Sequence, residues 1–331
     1  MRGILFGQAK KRNFAPEFLR SCKKTMKAAM IRQRLKPWML PIAMVGGLVF
    51  HDWIGHVTFL TPYLIFLMLL ITFCRVNPRE IRMSPLIAYL LAVQVLGGIA
   101  LYYAIRPLSL DVAQGTFICV FCPTATAAPV VTGMLGGNVG RLVTYSLVSN
   151  VVVAVTAPLL LSTFGSADIP LLESTRLITV QVAPLILGPL VVALAMRKAT
   201  PKLYHGLGSH QAVSFYVWAV SLFIVVGKSV SFIMQEPAEK MLEIIVIALA
   251  AGVVCGLQFI YGRKIGRRFG DPISGAQGLG QKNTVLAIWL ALTYLNPISS
   301  VGPAAYIAWQ NTINSVQLYY HQKKLDGGEK Q

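Results

Sequence analysis

The sequence predicts an all-α membrane protein of ten transmembrane helices, arranged as two five-helix repeats of opposite orientation. Composition predicts it first: 55% of the 331 residues are hydrophobic, only 13% are charged and the mean hydropathy is +0.62. A soluble domain carries about a quarter charged residues and has no way to hide this much apolar surface. Stretches long enough to cross a bilayer, about 20 residues, recur along the chain. The basic residues, finally, sort to one side of those stretches.

The spans are read at 37–57, 59–76, 83–105, 116–137, 140–165, 175–196, 211–234, 237–261, 270–295 and 297–321. Several contain Pro or Gly (Pro62, Gly97, Gly98, Pro184, Pro189), which lipid tolerates where neighbouring helices satisfy the freed backbone groups. With both ends in the cytoplasm, nearly every Lys and Arg falls on the inner side. The exceptions are Arg106, Arg176, Lys228, Lys240 and the intramembrane Lys282. This is the positive-inside pattern, and an odd span count would scramble it. It predicts an integral protein of the plasma (inner) membrane, and it accounts for most of the net charge of +18. The basic face suits anionic lipid headgroups rather than nucleic acid. Residues 1–36 lack the apolar core of a signal peptide and read as a basic cytoplasmic arm; 323–331 read as a cytoplasmic tail.

The five cysteines, Cys22, Cys74, Cys119, Cys122 and Cys255, have no framework spacing. Cys119 and Cys122 form a CxxC inside an apolar helix, which reads as small buried hydrophobes or as a redox or metal pair. The histidines fall in loops or at span ends, so neither a metal-binding nor a nucleophilic constellation is apparent. The sequence therefore predicts no enzyme, no cofactor and no obligate protein partner.

Two segments differ from ordinary lipid-facing helices. Cys122-Pro123-Thr124-Ala125-Thr126-Ala127-Ala128-Pro129 sets two prolines and two threonines at mid-depth of the fourth span. Ser274-Gly275-Ala276-Gln277-Gly278-Leu279-Gly280-Gln281-Lys282-Asn283-Thr284 puts glycines, amides and a charge inside the ninth. Both read as broken helices. Five spans apart, they occupy equivalent places in halves of opposite orientation, the arrangement in which half-helix N-termini aim positive ends at a substrate anion. Kinks that only improve packing are the alternative. The reading is a secondary transporter.

Cys122-Pro123-Thr124-Ala125, Gly137-Asn138-Val139 and Ala157-Pro158-Leu159-Leu160 resemble the fourth and fifth helices of the bile acid:sodium symporter family. Gly280-Gln281-Lys282-Asn283-Thr284-Val285-Leu286-Ala287 and Trp309-Gln310-Asn311-Thr312 resemble its ninth and tenth. The resemblance implies a panel domain (37–76 and 175–234), a core domain (83–165 and 237–322) in which helices 4 and 9 cross, and alternating-access transport of an organic anion, bile acid-like or a simpler carboxylate. Thr126, Asn283, Gln310 and Asn311 match substrate-contacting positions. One sodium site of the family matches Ala128, Pro129, Leu142, Ser146 and Gly278, a set without the acid that offsets ion dehydration. The other matches Gln94 and Lys282.

Both sodium sites thus read as degenerate, with Gln94, Lys282 and Ser146 marking the cation-site region. The ammonium of Lys282 can stand where sodium would sit, satisfying Gln94 and the open carbonyls of the broken helices. It can equally load a proton or attract substrate, or be incidental, snorkelling to water or serving as a fixed structural cation. Two other functions remain open: efflux of a metalloid oxyanion through Cys122, and a non-transporting receptor or sensor.

Overall fold

The computed structural model describes residues 39–75, 81–165, 170–209 and 211–328. The arm at 1–36 lies outside them. Among the described residues the backbone is helical between its connectors, and the one extended pairing is an antiparallel bridge between Thr124 and Lys282. Six helical stretches are long and apolar enough to cross a membrane: His51–Phe73, Pro85–Ile105, Val139–Phe164, Leu171–Ala199, Tyr216–Ile233 and Ala238–Arg268. Their outer faces expose large apolar side chains such as Tyr63, Leu96, Val155, Val180, Leu242 and Ile260, as hydrocarbon requires.

In chain order, α1 (Met39–Val49) leads through short turns to α2 (Thr61–Phe73). α3 (Pro85–Ala92) and α4 (Gly98–Ile105) are joined by a π turn, Val93–Gly97. α5 (Leu110–Phe121) and α6 (Ala128–Met134) flank the first break, and α7 (Val139–Phe164) follows. α8 (Leu171–Ala199), α9 (Pro201–Ser209), α10 (Gln211–Ile233) and α11 (Met241–Arg268) come next. α12 (Pro272–Gly280) and α13 (Thr284–Tyr294) flank the second break. A 3-10 turn, Pro297–Ser300, then opens α14 (Val301–Gly328).

Helix α5 begins at Leu110, six residues before the expected start of the fourth span. Asp111 and Gln114 look like loop residues in the sequence, yet both are buried. Their polar atoms are satisfied at long range: Asn296 Nδ2 donates to Asp111 Oδ1 (2.7 Å), and Gln114 bonds the Phe164 carbonyl (2.7 Å) and the Asn296 amide (2.9 Å). Helix α11 likewise runs past the expected end at 261, to Arg268, and α14 continues through most of the expected tail.

The longest helices pack in pairs, α7 along α8 among them. α1 lies against α10, and α2 against α8 and α10; α11 lies along α12, α5 and α14. The α11–α12 contact is the tightest. Gly262 and Gly266 form a small-xxx-small pair facing Gly275 and Asp271, and a Cβ at Gly262 or Gly275 would collide with the opposing backbone. Such approach is how membrane helices associate without a hydrophobic driving force between them. Ser229 of α10 donates to Ser300 (2.7 Å) and Tyr294 of α13 donates to Gln181 of α8 (2.8 Å).

Candidate functional site

The two breaks meet. Asn283 N donates to Pro123 O (2.8 Å) and Ala125 N to Gln281 O (3.1 Å), so the extended residues of each interruption satisfy the other's backbone. In lipid an unpaired peptide group costs several kcal/mol, and this exchange removes that cost for both segments together.

The carbonyls left open where α5 ends are capped one by one. Cys119 O accepts from Gln258 Nε2 (3.3 Å), Val120 O from Lys282 Nζ (2.7 Å) and Phe121 O from Gln94 Nε2 (2.8 Å). At the end of α12, Gly278 O accepts from Thr124 Oγ1 (2.9 Å) and Gly280 O from the Tyr306 hydroxyl (2.8 Å). Thr124 and Lys282, bridge partners, thus each cap the other half's helix, at the carbonyl four residues before the partner. The negative end of the α5 dipole faces the ammonium, the favourable arrangement for a cation.

Lys282 is 1% exposed and forms no ion pair among the described residues. Its position fits one part of the expectation and not another. The ammonium does bond a carbonyl of a broken helix, but Gln94 is held elsewhere: its Oε1 accepts from both Tyr145 (2.8 Å) and Ser149 (2.8 Å). Gln94 projects from the π turn, a local widening frequent at functional positions. Tyr145, Ser149, Gln258 and Tyr306 carry no motif and are joined to their partners only by the fold.

The positions that match the family's first sodium site offer no cage of oxygens. Ala128 and Leu142 pack with Leu86, Ile87, Leu90, Tyr145 and Leu279. A Cβ on Gly278 would stand 3.1 Å from Leu90 Cδ1 and from the Tyr145 ring. Hydrocarbon fills the place. Pro129 and Ser146 point elsewhere, into a cavity of about 520 Å³ beside α6. Ser146 is therefore not gathered with Gln94 and Lys282 into a single cluster.

Thr126, Asn283, Gln310 and Asn311, from three separate stretches of sequence, all line a second cavity of about 450 Å³, together with Lys282. Gln310 is fixed there by accepting from the Lys282 amide (3.0 Å), and Asn311 donates to Ile307 O (2.6 Å). Asn283 caps α13, its Oδ1 accepting from Leu286 N (3.3 Å), while its buried Nδ2 has no partner. Of the two half-helices that follow the breaks, α13 has 11 residues and presents an N-terminus here; α6 has only seven.

Cys122 is fully buried and lines neither cavity. Among the described residues no group of three or more His, Cys, Asp or Glu could hold a metal ion. Cys119 is likewise buried and lines neither of these two cavities.

The chain matches no family model. Over 246 residues it is 26% identical to an uncharacterized sodium-dependent transporter of Bacillus subtilis (strain 168), YocS, a similarity that covers 70% of this chain and 74% of that protein. This relative and the six apolar helices together support an integral membrane protein with a transporter function.

Proposed function

We propose that the chain is a secondary transporter of a small organic anion, a divergent member of the bile acid:sodium symporter family, that works by alternating access without sodium. The observation that carries this reading is the crossing: a buried ammonium caps the open end of one broken helix beside a cavity lined by all four residues expected to contact substrate. Lys282 supplies, as a covalent part of the chain, the positive charge that an ion would bring.

Ten spans, with α3–α7 and α11–α14 as core and α1, α2, α8 and α10 as panel, suit the packing. The inverted repeat is supported by the reciprocal caps of Thr124 and Lys282 and by a second match. Gln114 and Asn296 pair at one end of the core as Ser274 and Asn138 do at the other: Asn296 N donates to the Gln114 side chain, and Asn138 N to Ser274 Oγ (3.1 Å). Ser229–Ser300 and Tyr294–Gln181 would close the outer half, and Arg75, which the positive-inside reading puts on the inner side, lines both cavities, as suits an inward-facing state.

The test is uptake of candidate organic anions into proteoliposomes under a sodium gradient, a proton gradient or neither. Accumulation indifferent to sodium is expected. Strong sodium stimulation of the wild type would overturn the reading of Lys282.

A further inference from the structure

The two cavities share Arg75, Thr126 and Val130. Arg75, two residues beyond α2, is exposed and has no ion pair among the described residues. Among the described residues no Asp or Glu lines either cavity. Lys282, in the lining of one, and Arg141, next to Gly140 in the lining of the other, are both engaged. Lys282 gives its ammonium to Val120 O, and Arg141 is paired with Asp271 at 2.9 Å. Among the described residues that line this space, Arg75 is the cation whose guanidinium makes no hydrogen bond or ion pair, whereas the ammonium of Lys282 is buried and held by Val120 O.

Asn283 belongs to the lining of the same cavity as Arg75. It is 4% exposed, its oxygen is used as the cap of α13, and its Nδ2 has no partner among the described residues.

We infer that Arg75 is the charge-selecting residue of this site: it pairs with the anionic group of a ligand held in the cavity that it lines together with Thr126, Asn283, Gln310 and Asn311. The inference rests on the anion-transport reading and deepens it. Arg75 follows α2 and Asn283 belongs to the crossing, so a ligand that fills this cavity meets both. Sequence alone assigns Arg75 to the positive-inside set, and only the cavity gives it a second role.

The test uses the full chain in lipid nanodiscs with two fluorescent probes of one shape, dansylglycine and its neutral amide, dansylglycinamide. A charged hydrogen bond of about 1.5–3 kcal/mol corresponds to about 10- to 100-fold in affinity. Wild type is expected to prefer the acid by that factor. Arg75→Gln is expected to lose the preference while binding the amide as before, and Arg75→Lys to keep part of it. If Arg75→Gln retains the full preference for the acid, the assignment of Arg75 fails and anion binding stands. If the wild type shows no preference for the acid, the anion reading fails with it.

Discussion

Replacing Lys282 by Met keeps most of the side-chain volume and removes only the charge and the donor. Two effects oppose each other. A buried ammonium without a carboxylate partner is costly to desolvate, and replacing such a charge by a well-packed apolar group is often neutral or stabilising. Against this, the Nζ–Val120 O bond at 2.7 Å is a charge-assisted one, of a kind that contributes about 1.5–3 kcal/mol, and a cation at a partly buried helix C-terminus adds up to about 2 kcal/mol. The second effect wins if the helix end behaves as the lysine's counter-charge. Val120 O then stays behind, buried and unpaired, as when one partner of a buried pair is deleted. Since the bond and the dipole overlap, the expected net loss is about 2–3 kcal/mol, read from unfolding in mixed micelles titrated with dodecyl sulfate. A Met variant as stable as wild type, or more so, would refute the idea that the crossing requires a cation.

Gln94→Leu strands three buried groups, Phe121 O and the Tyr145 and Ser149 hydroxyls, and should lower stability in the same titration by about 3 kcal/mol or more. Gly278→Glu puts an acid at one of the positions that match the first sodium site, yet its side chain must displace Leu90 and the Tyr145 ring. The expected outcome is a loss of about 1–3 kcal/mol with no sodium response, measured by melting in sodium and in potassium chloride. Asp271→Asn removes the charge from the pair with Arg141 but keeps the cap on Ser274 N. Because Arg141 is partly exposed, about 1 kcal/mol should be lost, and Asp271→Ala should cost about 1 kcal/mol more through the missing cap.

What the sequence revealed follows from local chemistry. Glycines, prolines and amides inside apolar runs, at 122–129 and 274–284, announce backbone that cannot stay helical, and the structure breaks both segments there. Apolar length likewise marks the long spans. The fourth span's start was hidden because Asp111 and Gln114 are polar, and their burial depends on Asn296, about 180 residues away. Distance in sequence also hid Tyr145 and Ser149 from Gln94, and Gln258 from Cys119 O. In the candidate site, the four matched residues line one cavity, whereas the cation-site residues do not form one cluster: Gln94 and Lys282 hold adjacent carbonyls and Ser146 faces another cavity. Spacing alone shows which residues are polar within a span and not which partner each will find.

Whether a metal ion has a place in this protein can be measured without knowing the substrate. An ion that binds the folded state at a hundred times its dissociation constant stabilises that state by about 2.7 kcal/mol. Unfolding of the purified wild type in sodium, potassium and choline chloride at equal ionic strength should give coincident curves, because the ammonium of Lys282 already holds Val120 O. A sodium-specific rise in the wild type's stability, of about 1 kcal/mol or more, would mean that a free ion still finds a site and that the lysine does not replace it.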